Sequence, residues 1–230
     1  MIDAQLPEGW QYRSVLDYWR ARISQHTDDI YRGRVLQKFP EDLRTYQRII
    51  EECQPDIILE LGSYDGGSAL WFADQLRALC GGGHVLSVDS RKSCPSGSFP
   101  EDPDVTFMVG DLTSQVTVDA VGEWLWERYG EAEIMVVEDS AHDYGTTLEA
   151  LTLYSGWVSS GQWFVVEDGI VDEPSLRVDE HGEVRYWPTG VQNAVAEFLS
   201  NTIEGERFTQ HWIAPYGLTT NHGGWLCCAD

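Results

Sequence analysis

Three stretches of this 230-residue chain place glycines or acidic side chains directly after short apolar runs. They are ELGSYDGGS at residues 60 to 68, VVEDSAHDY at residues 136 to 144 and FVVEDG at residues 164 to 169. In an open α/β sheet, ligands bind beyond the carboxyl ends of the strands, so residues in such positions are candidates for a binding or catalytic site. The three stretches therefore predict one cleft that carries a glycine-rich loop and several carboxylates.

The acidic residues of the two later stretches suit a divalent cation. Asp139 ends one predicted strand, and Glu167 and Asp168 end the next, which is its neighbour in a doubly wound sheet. Three carboxylates in one cleft raise one another's pKa unless a cation compensates them. Because oxygen ligands favour Mg²⁺ over zinc, the sequence predicts a Mg²⁺ site at these three residues. The alternative is that the acids only cap loops and helices.

His142 follows Asp139 by three residues, on the turn that leaves the same strand. Its unperturbed pKa, about 6.5, lets an imidazole take up a proton near neutral pH. Beside a metal-bound hydroxyl group it would act as a general base. The alternative is an ordinary polar residue on a loop, and the pattern leaves both interpretations open.

The glycine-rich loop does not match the dinucleotide fingerprint G-x-G-x-x-G, because three residues separate Gly62 from Gly66. Glycines let the backbone turn tightly and approach a ligand, and the helix that follows offers free N–H groups. Glu60, inside the end of the strand, suits a cationic ligand better than a phosphate group. An ordinary strand-to-helix turn is the alternative for this loop.

Two further acids end the next strands along the chain, Asp89 in VLSVDS and Asp111 in VGD. An acid at the end of the second strand commonly binds ribose hydroxyl groups, and Asp111 is placed to bind a base or another polar group. For either residue alone, a helix N-cap is the alternative. Together with Glu60 and Gly62 they describe a nucleoside site without a phosphate clamp. S-adenosylmethionine is such a nucleoside, and its sulfonium group is cationic.

Short apolar runs and helical periodicities alternate along the chain. The sequence predicts strands within residues 56–62, 81–90, 105–111, 133–140 and 162–169, and helices at residues 41–53, 67–80, 116–129 and 145–156. Near-continuous Val, Ile and Leu strands separated by helices indicate an α/β fold, a Rossmann-like, doubly wound and mostly parallel sheet. After a helix at 191–201, strand candidates at 207–213 and 224–228 predict an antiparallel C-terminal hairpin.

Two segments lie outside this alternation. Residues 10 to 38 are helical in period and hold 6 of the chain's 15 cations, which predicts an N-terminal helical arm that packs on the domain or on another subunit. We therefore divide the chain into an arm at residues 1–40 and a domain at residues 41–230. Residues 172 to 189 are polar and turn-rich at the carboxyl end of a strand, which predicts a mobile lid over the site.

The composition disfavours several classes of partner. A formal net charge of -23 repels phosphate backbones and anionic lipid head groups, so nucleic acids and membrane surfaces are poor partners. The chain has no run of roughly 18 apolar residues, and its start lacks the basic and apolar regions of a signal peptide. Five Cys without paired metal spacing suit buried thiols in a reducing compartment, so we expect a cytoplasmic protein.

The sequence resembles class I S-adenosylmethionine-dependent O-methyltransferases of the cephalosporin-hydroxylase and macrolide-sugar (rhamnosyl) type. The resemblance rests on four stretches that together span about residues 39 to 226: FPEDLRTYQRIIEECQPDIILELGSYDGGSALWFADQL, VEDSAHDYGTTLEALTLYSGWVSSGQWFVVEDG, PTGVQNAVAEFL and PYGLTTNHGGWL. Members of this family are Mg²⁺-dependent enzymes of antibiotic biosynthesis. They usually assemble into homo-oligomers, which the resemblance implies for this chain as well.

Carried over residue by residue, the resemblance implies a role for each candidate. His142 would be the general base, and Asp139, Glu167 and Asp168 would bind the metal. The methyl-donor site would comprise Glu60, Gly62, Ser63, Tyr64, Gly66, Ser68, Asp89, Asp111 and Asp139. The implied reaction transfers a methyl group from S-adenosylmethionine to a hydroxyl group of a small-molecule acceptor, a sugar or another glycosylated or polyhydroxylated natural product.

Two alternative functions retain the S-adenosylmethionine site. One is a catechol-type O-methyltransferase, which the ten Trp of the chain allow. The other is a non-catalytic subunit that binds S-adenosylmethionine within a two-protein methoxylation system. An NAD-dependent oxidoreductase is disfavoured because the dinucleotide fingerprint is missing.

Overall fold

A computed structural model describes residues 29–173 and 189–229 of the chain. Its strands are β1 Ile30–Tyr31, β2 Arg34–Val35, β3 Ile57–Leu61, β4 His84–Asp89, β5 Val105–Val109, β6 Ile134–Glu138, β7 Trp163–Val166, β8 Phe208–His211 and β9 Trp225–Cys228. Its α-helices are α1 Pro40–Cys53, α2 Gly67–Gln75, α3 Gln115–Tyr129, α4 Tyr144–Tyr154 and α5 Val191–Asn201. A π-helical turn, Leu76–Cys80, continues α2, and 3-10 turns lie at Ser155–Trp157, Gly169–Asp172 and Glu204–Arg207.

Seven strands form one sheet in the order β5-β4-β3-β6-β7-β9-β8. The first five are parallel to one another, whereas β9 is antiparallel to β7 and β8 is antiparallel to β9. The register pairs Leu61 with Glu138 and Glu138 with Val166, so that the carboxyl ends of β3, β6 and β7 lie side by side. The predicted Rossmann-like fold class, with its antiparallel C-terminal strands, is confirmed.

The sheet is buried on both faces, as its continuous apolar strands require. Along β3, Leu59 packs in a cluster with residues of α3, α4 and α5, whereas its neighbour Ile58 packs in a second cluster with residues of α1 and α2. Successive strand residues point to opposite faces, so one strand supplies both halves of the core. Burying each such side chain stabilises the fold by about 1.5–3 kcal/mol. Within the described residues, no helix has both the length and the apolar character needed to cross a bilayer.

The first helix of the described chain starts and ends at identifiable signals. Pro40 occupies its first turn, where a missing N–H group costs nothing, and Gln54 ends it in a left-handed conformation. Asp42 in the first turn accepts hydrogen bonds from Thr219 and Thr220, which tie α1 to the segment before β9. The helix is therefore fixed to the segment before β9, and it holds in place the residues just before it.

Residues 29–39, called the strap below, run over the glycine-rich loop to the start of α1. β1 and β2 pair as an antiparallel hairpin whose turn residues, Arg32 and Gly33, both have positive φ, as two-residue hairpin turns prefer. The helix predicted for residues 10 to 38 is thus wrong over its described part, because the arginine spacing reflects ion pairs, such as Arg32 with Asp102, rather than a helix face. The rest of that prediction, residues 10–28, lies outside the described residues, and the boundary proposed at residue 40 falls at the end of the strap.

Candidate functional site

The candidate site is a cavity of about 590 Å³ at the point where the strand order of the sheet reverses, between β3 and β6. Residues that follow β3, β4, β5, β6 and β7 form its wall. Its lining includes Gln37, Gly62, Tyr64, Asp89, Arg91, Asp111, Asp139, His142 and Asp168. The cavity brings together the glycine-rich loop, the acids after β4 and β5, and two of the three predicted metal ligands.

The glycine-rich loop lies directly against the end of β6. A Cβ atom on Gly62 would stand 1.9 Å from the carbonyl oxygen of Asp139, and the φ of Gly62 is +111°. The backbone N–H of Asp139 donates to the carbonyl oxygen of Leu61 at 2.8 Å and joins the ends of β6 and β3, and the N–H of Gly62 donates to Val88 of β4, also at 2.8 Å. Only a glycine lets the loop pass this close to Asp139, so the loop holds Asp139 at the cavity wall.

Several residues of the predicted donor site lie behind the loop rather than on the cavity wall. Glu60 is completely buried, and its Oε2 accepts a hydrogen bond from Ser87 at 2.5 Å, while the hydroxyl groups of Ser87 and Ser63 are 2.6 Å apart. Oε1 of Glu60 is buried and accepts no hydrogen bond from the described part of the chain. Burial raises the pKa of Glu60 to about 7, although Lys38 and Ser68 act to lower it. Glu60 thus supports the loop from below through Ser87 and Ser63.

The start of α2 carries the remaining loop residues. Gly66 precedes the helix with a φ of +82°, and no side chain caps this helix end. Ser68 is buried in the first turn of α2. Gly66 and Ser68 therefore shape the loop, and the side of the loop that meets the cavity is formed by Gly62 and Tyr64.

Asp89 at the end of β4 is already surrounded by donors. Its Oδ2 accepts the backbone N–H groups of Ser63 and Tyr64, both at 3.1 Å. Its Oδ1 accepts the backbone N–H of Arg91 at 2.9 Å, and the guanidinium group of Arg91 lies 3.2 and 3.3 Å from the two oxygens. Burial acts to raise the pKa of Asp89, but the hydrogen bonds from Arg91 and Tyr64 outweigh it and hold the pKa below its ordinary value. Asp89 therefore faces the cavity as a charged carboxylate.

Asp111 lines the cavity after β5, beside Leu112 and Thr113. Its Oδ1 accepts hydrogen bonds from the backbone N–H of Thr113 at 3.0 Å and from the Thr113 hydroxyl group at 2.8 Å, and these bonds lower its pKa. This is the geometry of a side-chain turn ahead of α3. Asp111 therefore has a local structural role as well as a position at the cavity.

Asp139, His142 and Asp168 form the group of charged side chains at the opposite side of the cavity. Nε2 of His142 lies 3.8 Å from an oxygen of Asp139 and 3.5 Å from an oxygen of Asp168. Ligand atoms of the three residues all lie within 4.8 Å of one another. Because the two carboxylates offer hard oxygen ligands, this group suits Mg²⁺, and with the imidazole as a third ligand it also suits Mn²⁺.

Glu167, the third predicted metal ligand, faces other partners. It is buried and does not line the cavity, and its Oε1 accepts a hydrogen bond from the hydroxyl group of Tyr46 at 2.6 Å. Its Oε2 accepts a hydrogen bond from Nζ of Lys38 at 2.7 Å, and the same Nζ lies 2.7 Å from Oδ2 of Asp139. Glu167 and Asp168 are adjacent but point in different directions, so only Asp168 shares the cavity with Asp139 and His142.

His142 is held in a strained conformation at the cavity wall. Its φ is +53°, a region that residues other than glycine rarely adopt. Its Nδ1 is buried and has no hydrogen-bond partner in the described residues, which leaves Nε2 facing the two carboxylates. Burial acts to lower the pKa of His142, but the charges of Asp168 and Asp139 outweigh it and raise the pKa. The two carboxylates that face Nε2 therefore favour the protonated form of the imidazole.

The residues of the site that were not predicted from the sequence include Gln37, Lys38, Tyr46 and Arg91. Lys38 stands two residues before Pro40 at the start of α1, and it was counted with the arginines of the N-terminal arm. A helical face pattern does identify Tyr46 as a core residue, but no local pattern indicates that its hydroxyl group meets Glu167. The acidic partners of Lys38 and Tyr46 lie 101 to 129 residues away along the chain, so no local signal could have identified these contacts.

The predicted lid at residues 172 to 189 lies mostly outside the described residues, at positions 174–188. Asp172 accepts hydrogen bonds from the backbone N–H groups of Gly190 at 2.6 Å and Gln192 at 2.8 Å. The two ends of the segment are therefore joined at its base, next to α5.

Known proteins match most of this chain. A family model described as Rhamnosyl O-methyltransferase/CmcI matches residues 24–228. A rhamnosyl O-methyltransferase of Mycobacterium bovis is 30% identical over 146 residues, which are 64% of this chain and 59% of that protein. The rhamnosyl O-methyltransferase of Mycobacterium leprae is 32% identical over 134 residues, 57% of this chain and 56% of that protein. The chain thus spans less than two thirds of the length of the curated relatives it matches.

Solved structures share the fold. A CmcI structure with Mg and SAM has a TM-score of 0.61 at 18% identity and covers 89% of this chain and 78% of that one. The MycE methyltransferase from the mycinamycin biosynthetic pathway, in complex with Mg, SAH and mycinamycin VI, has a TM-score of 0.56 at 13% identity. That match covers 95% of this chain and 55% of MycE.

Proposed function

The chain belongs to the rhamnosyl O-methyltransferase/CmcI family, and we propose that it transfers a methyl group from S-adenosylmethionine to a hydroxyl group of a sugar or another polyhydroxylated natural product. The observation that carries this proposal is the cavity that joins the glycine-rich loop to the Asp139, His142 and Asp168 group. The mycobacterial relatives are rhamnosyl O-methyltransferases, and the MycE complex contains mycinamycin VI, which supports an acceptor of this class.

The methyl donor fits the half of the cavity around the glycine-rich loop. A volume of about 590 Å³ suits a small-molecule site, and Gly62 lets a ligand approach the backbone closely. The ribose hydroxyl groups would bind Asp89, in place of the guanidinium contacts that Arg91 makes at 3.2 and 3.3 Å. Asp111 would lie beside the adenine. The fit thus relies on a charged carboxylate, Asp89, that already faces the cavity.

A divalent metal, which we propose to be Mg²⁺, fits the other half. Asp139 and Asp168 would hold it through carboxylate oxygens that line the cavity. When bound, Mg²⁺ lowers the pKa of a hydroxyl group that it coordinates. Two adjacent hydroxyl groups, as on a sugar, suit such a site because both can be bound at once.

In the proposed reaction, the acceptor oxygen forms a bond to the methyl carbon while the carbon–sulfur bond breaks and the sulfonium becomes a thioether. The hydroxyl proton passes to Nε2 of His142, whose position between Asp139 and Asp168 stabilises the imidazolium that results. General base catalysis typically contributes about 10²–10⁴-fold, and the alignment of the two reactants supplies much of the rest.

We further propose that the reaction belongs to antibiotic or other secondary-metabolite biosynthesis, that the protein is a homo-oligomer and that it works in the cytoplasm. The pathway of MycE supports the first point, and the family resemblance supports the second. All five cysteines are free thiols, which supports a reducing compartment.

The test is a methyl-transfer assay with the purified protein, S-adenosylmethionine, Mg²⁺ and a set of acceptors, read by mass spectrometry. The set contains glycosides of a 6-deoxyhexose with free vicinal hydroxyl groups, and a catechol. We expect a methylated glycoside and no product in EDTA. If only the catechol is methylated, the acceptor is a catechol rather than a sugar. If calorimetry shows donor binding but no product forms, the protein is a non-catalytic binding subunit.

A further inference from the structure

Lys38 is buried between two carboxylates of the site. Its side chain is 2% exposed, and Nζ lies 2.7 Å from Oδ2 of Asp139 and 2.7 Å from Oε2 of Glu167. The residue belongs to the strap, and 101 and 129 residues of chain separate it from its two partners. An ammonium group thus bridges two acids that end neighbouring strands.

The two carboxylates keep the ammonium group of Lys38 in its charged form. Burial acts to lower the pKa of Lys38, but the charges of Asp139 and Glu167 outweigh it and raise the pKa. Burial raises the pKa of Glu167 well above its ordinary value, which opposes ionisation, but both of its oxygens accept hydrogen bonds, one from Lys38 and one from Tyr46, as those of an ionised carboxylate do. Lys38 therefore contributes a permanent positive charge that neutralises part of the acidic group.

The backbone on both sides holds Lys38 in place. Val35 donates its N–H group to the buried carboxylate of Asp65 in the glycine-rich loop at 3.0 Å, and a Cβ atom on Gly67 would stand 2.2 Å from the carbonyl oxygen of Val35. Phe39, the next residue after Lys38, is buried and directly precedes α1. The position of the ammonium group is therefore set by the fold of the strap rather than by a flexible surface side chain.

We propose that Lys38 competes with the divalent cation for Asp139, so that metal binding at this site displaces the ammonium group from its contact with Oδ2 of that residue. The inference deepens the proposed function, because it concerns the same metal site. Its ground is that Nζ of Lys38 lies 2.7 Å from Oδ2 of Asp139, and that Asp139 offers a ligand atom within 4.8 Å of those of His142 and Asp168. Each oxygen of Glu167 already accepts one hydrogen bond, from Lys38 or from Tyr46, so a metal ion at Glu167 would have to share that oxygen with the donor or displace it.

Electrostatics gives the direction of the effect. A divalent cation bound by Asp139 would stand close to Nζ, which lies 2.7 Å from Oδ2 of that residue, and the two positive charges would repel each other. Lys38 thus weakens metal binding, while it keeps Asp139 and Glu167 side by side. Removal of its charge is expected to make the metal bind more tightly, although the fold becomes less stable when no metal is added.

The first experiment uses the wild-type protein, which contains just two lysines, Lys38 and Lys92. With ¹⁵N-labelled lysine, Mg²⁺ is titrated while the side-chain ammonium resonances are followed by NMR and binding is followed by calorimetry. We expect the Lys38 signal to shift or to broaden by faster solvent exchange in step with Mg²⁺ binding, while the signal of exposed Lys92 stays constant. Saturation by Mg²⁺ with an unchanged Lys38 signal would overturn the proposal.

The second experiment compares Lys38→Met with Lys92→Met, which lose the same charge. Mn²⁺ and Mg²⁺ affinities are measured by calorimetry, and thermal unfolding is measured with and without each metal. We expect Lys38→Met to bind metal at least tenfold more tightly than wild type and to gain more thermal stability from it, and Lys92→Met to match wild type. If Lys38→Met folds only with metal present, that result also supports exchange.

The outcomes separate this inference from the proposed function. Wild-type binding of Mg²⁺ with equal or weaker binding by Lys38→Met overturns the role of Lys38 and leaves the metal proposal intact. Metal binding by Lys38→Met alone supports the competition and removes Mg²⁺ dependence from the wild-type reaction. No metal binding by either protein overturns both.

Discussion

At the scale of single residues, backbone strain is concentrated at the cavity. Among the described residues, those with positive φ other than glycine are Arg32, Gln37, Gln54, Tyr64, His142 and Asp168. Four of these six line the cavity. Each such conformation costs of order 1–3 kcal/mol and persists only where surrounding contacts enforce it. The strain at His142 and Asp168 turns both side chains toward Asp139, which is where the proposed chemistry needs them.

Replacement of His142 tests the general base. His142→Ala is expected to lower the rate of methyl transfer by roughly 10²-fold or more, because Nε2 no longer receives the acceptor proton. Donor affinity by calorimetry should change little, and the mutant should lose the ionisation seen in the wild-type pH–rate profile. His211→Ala, on β8 outside the cavity lining, is the control. Near-normal turnover with an unchanged pH profile would assign the proton to another group.

Glu60 makes a prediction about stability and pH. Its folded-state pKa, about 7, lies above the ordinary value of a glutamate, so stability is greatest while Glu60 is protonated and declines as the pH rises from about 4.5 through about 7. Glu60→Gln stays neutral and keeps an acceptor for Ser87. As the pH rises from about 5 to about 8, the stability of the mutant relative to wild type should therefore increase by an amount on the order of 3 kcal/mol. Urea unfolding of both proteins at the two pH values measures this change. An equal stability difference between mutant and wild type at both pH values would contradict the raised pKa of Glu60.

At the scale of elements, the strap and the glycine-rich loop form one unit. Asp65 in the loop accepts hydrogen bonds from the backbone N–H groups of Val35 at 3.0 Å and Ser96 at 2.9 Å, so it ties the strap and the segment after β4 to the same point. The strap in turn brings Lys38 to the ends of β6 and β7. Movement of the strap is therefore coupled to both the donor half and the metal half of the cavity.

Gly67→Ala tests that coupling. Its Cβ atom would stand 2.2 Å from the carbonyl oxygen of Val35, which is backbone and cannot rotate away, so the strap must shift. We expect a loss of about 1–3 kcal/mol of stability, the range typical of overpacking, together with weaker donor binding. Gly156→Ala is the matched control, because nothing lies within 4 Å of the Cβ atom it would add. Thermal unfolding and calorimetry compare the two, and equal effects would show that the contact with Val35 is unimportant.

At the scale of the whole molecule, the reversal of strand order between β3 and β6 collects the site. Parallel strands end at the same edge, and the crossover helices pack on opposite faces to either side of the reversal, which opens the cavity there. The strap then closes over this edge from outside the sheet. The chain has a formal net charge of -23, so the buried ammonium group of Lys38 is a local positive charge in a strongly acidic molecule.

Two truncated proteins test the contribution of the strap to the whole fold. One begins at residue 29 and the other at residue 40, so that they differ only by the strap. The shorter protein should have the lower melting temperature, because Glu167 loses Lys38 and remains a buried, uncompensated carboxylate, a change that typically costs about 3–5 kcal/mol. Differential scanning calorimetry measures the difference. Equal melting temperatures would mean that the strap is a peripheral attachment.

The sequence alone determined the elements and the positions of the acids that follow them. The runs IILEL, IMVVE and WFVV are apolar over their whole length, so each predicts a strand buried on both faces, and the observed strands lie within the predicted ranges. Because parallel strands end at one edge, the proximity of Asp139 and Asp168 also follows from order along the chain. These inferences depend only on local pattern and on a general rule of sheet topology.

Only the tertiary structure decided how the acids are compensated. Glu167 and Asp168 are equivalent in the sequence, yet the chain directs Asp168 into the cavity and Glu167 toward Lys38 and Tyr46. Lys38 meets Asp139 across 101 residues, and no periodicity or spacing encodes a contact at that separation. The path of the strap over the glycine-rich loop sets it, because a buried charge needs whichever opposite charge the packed backbone brings within hydrogen-bonding distance.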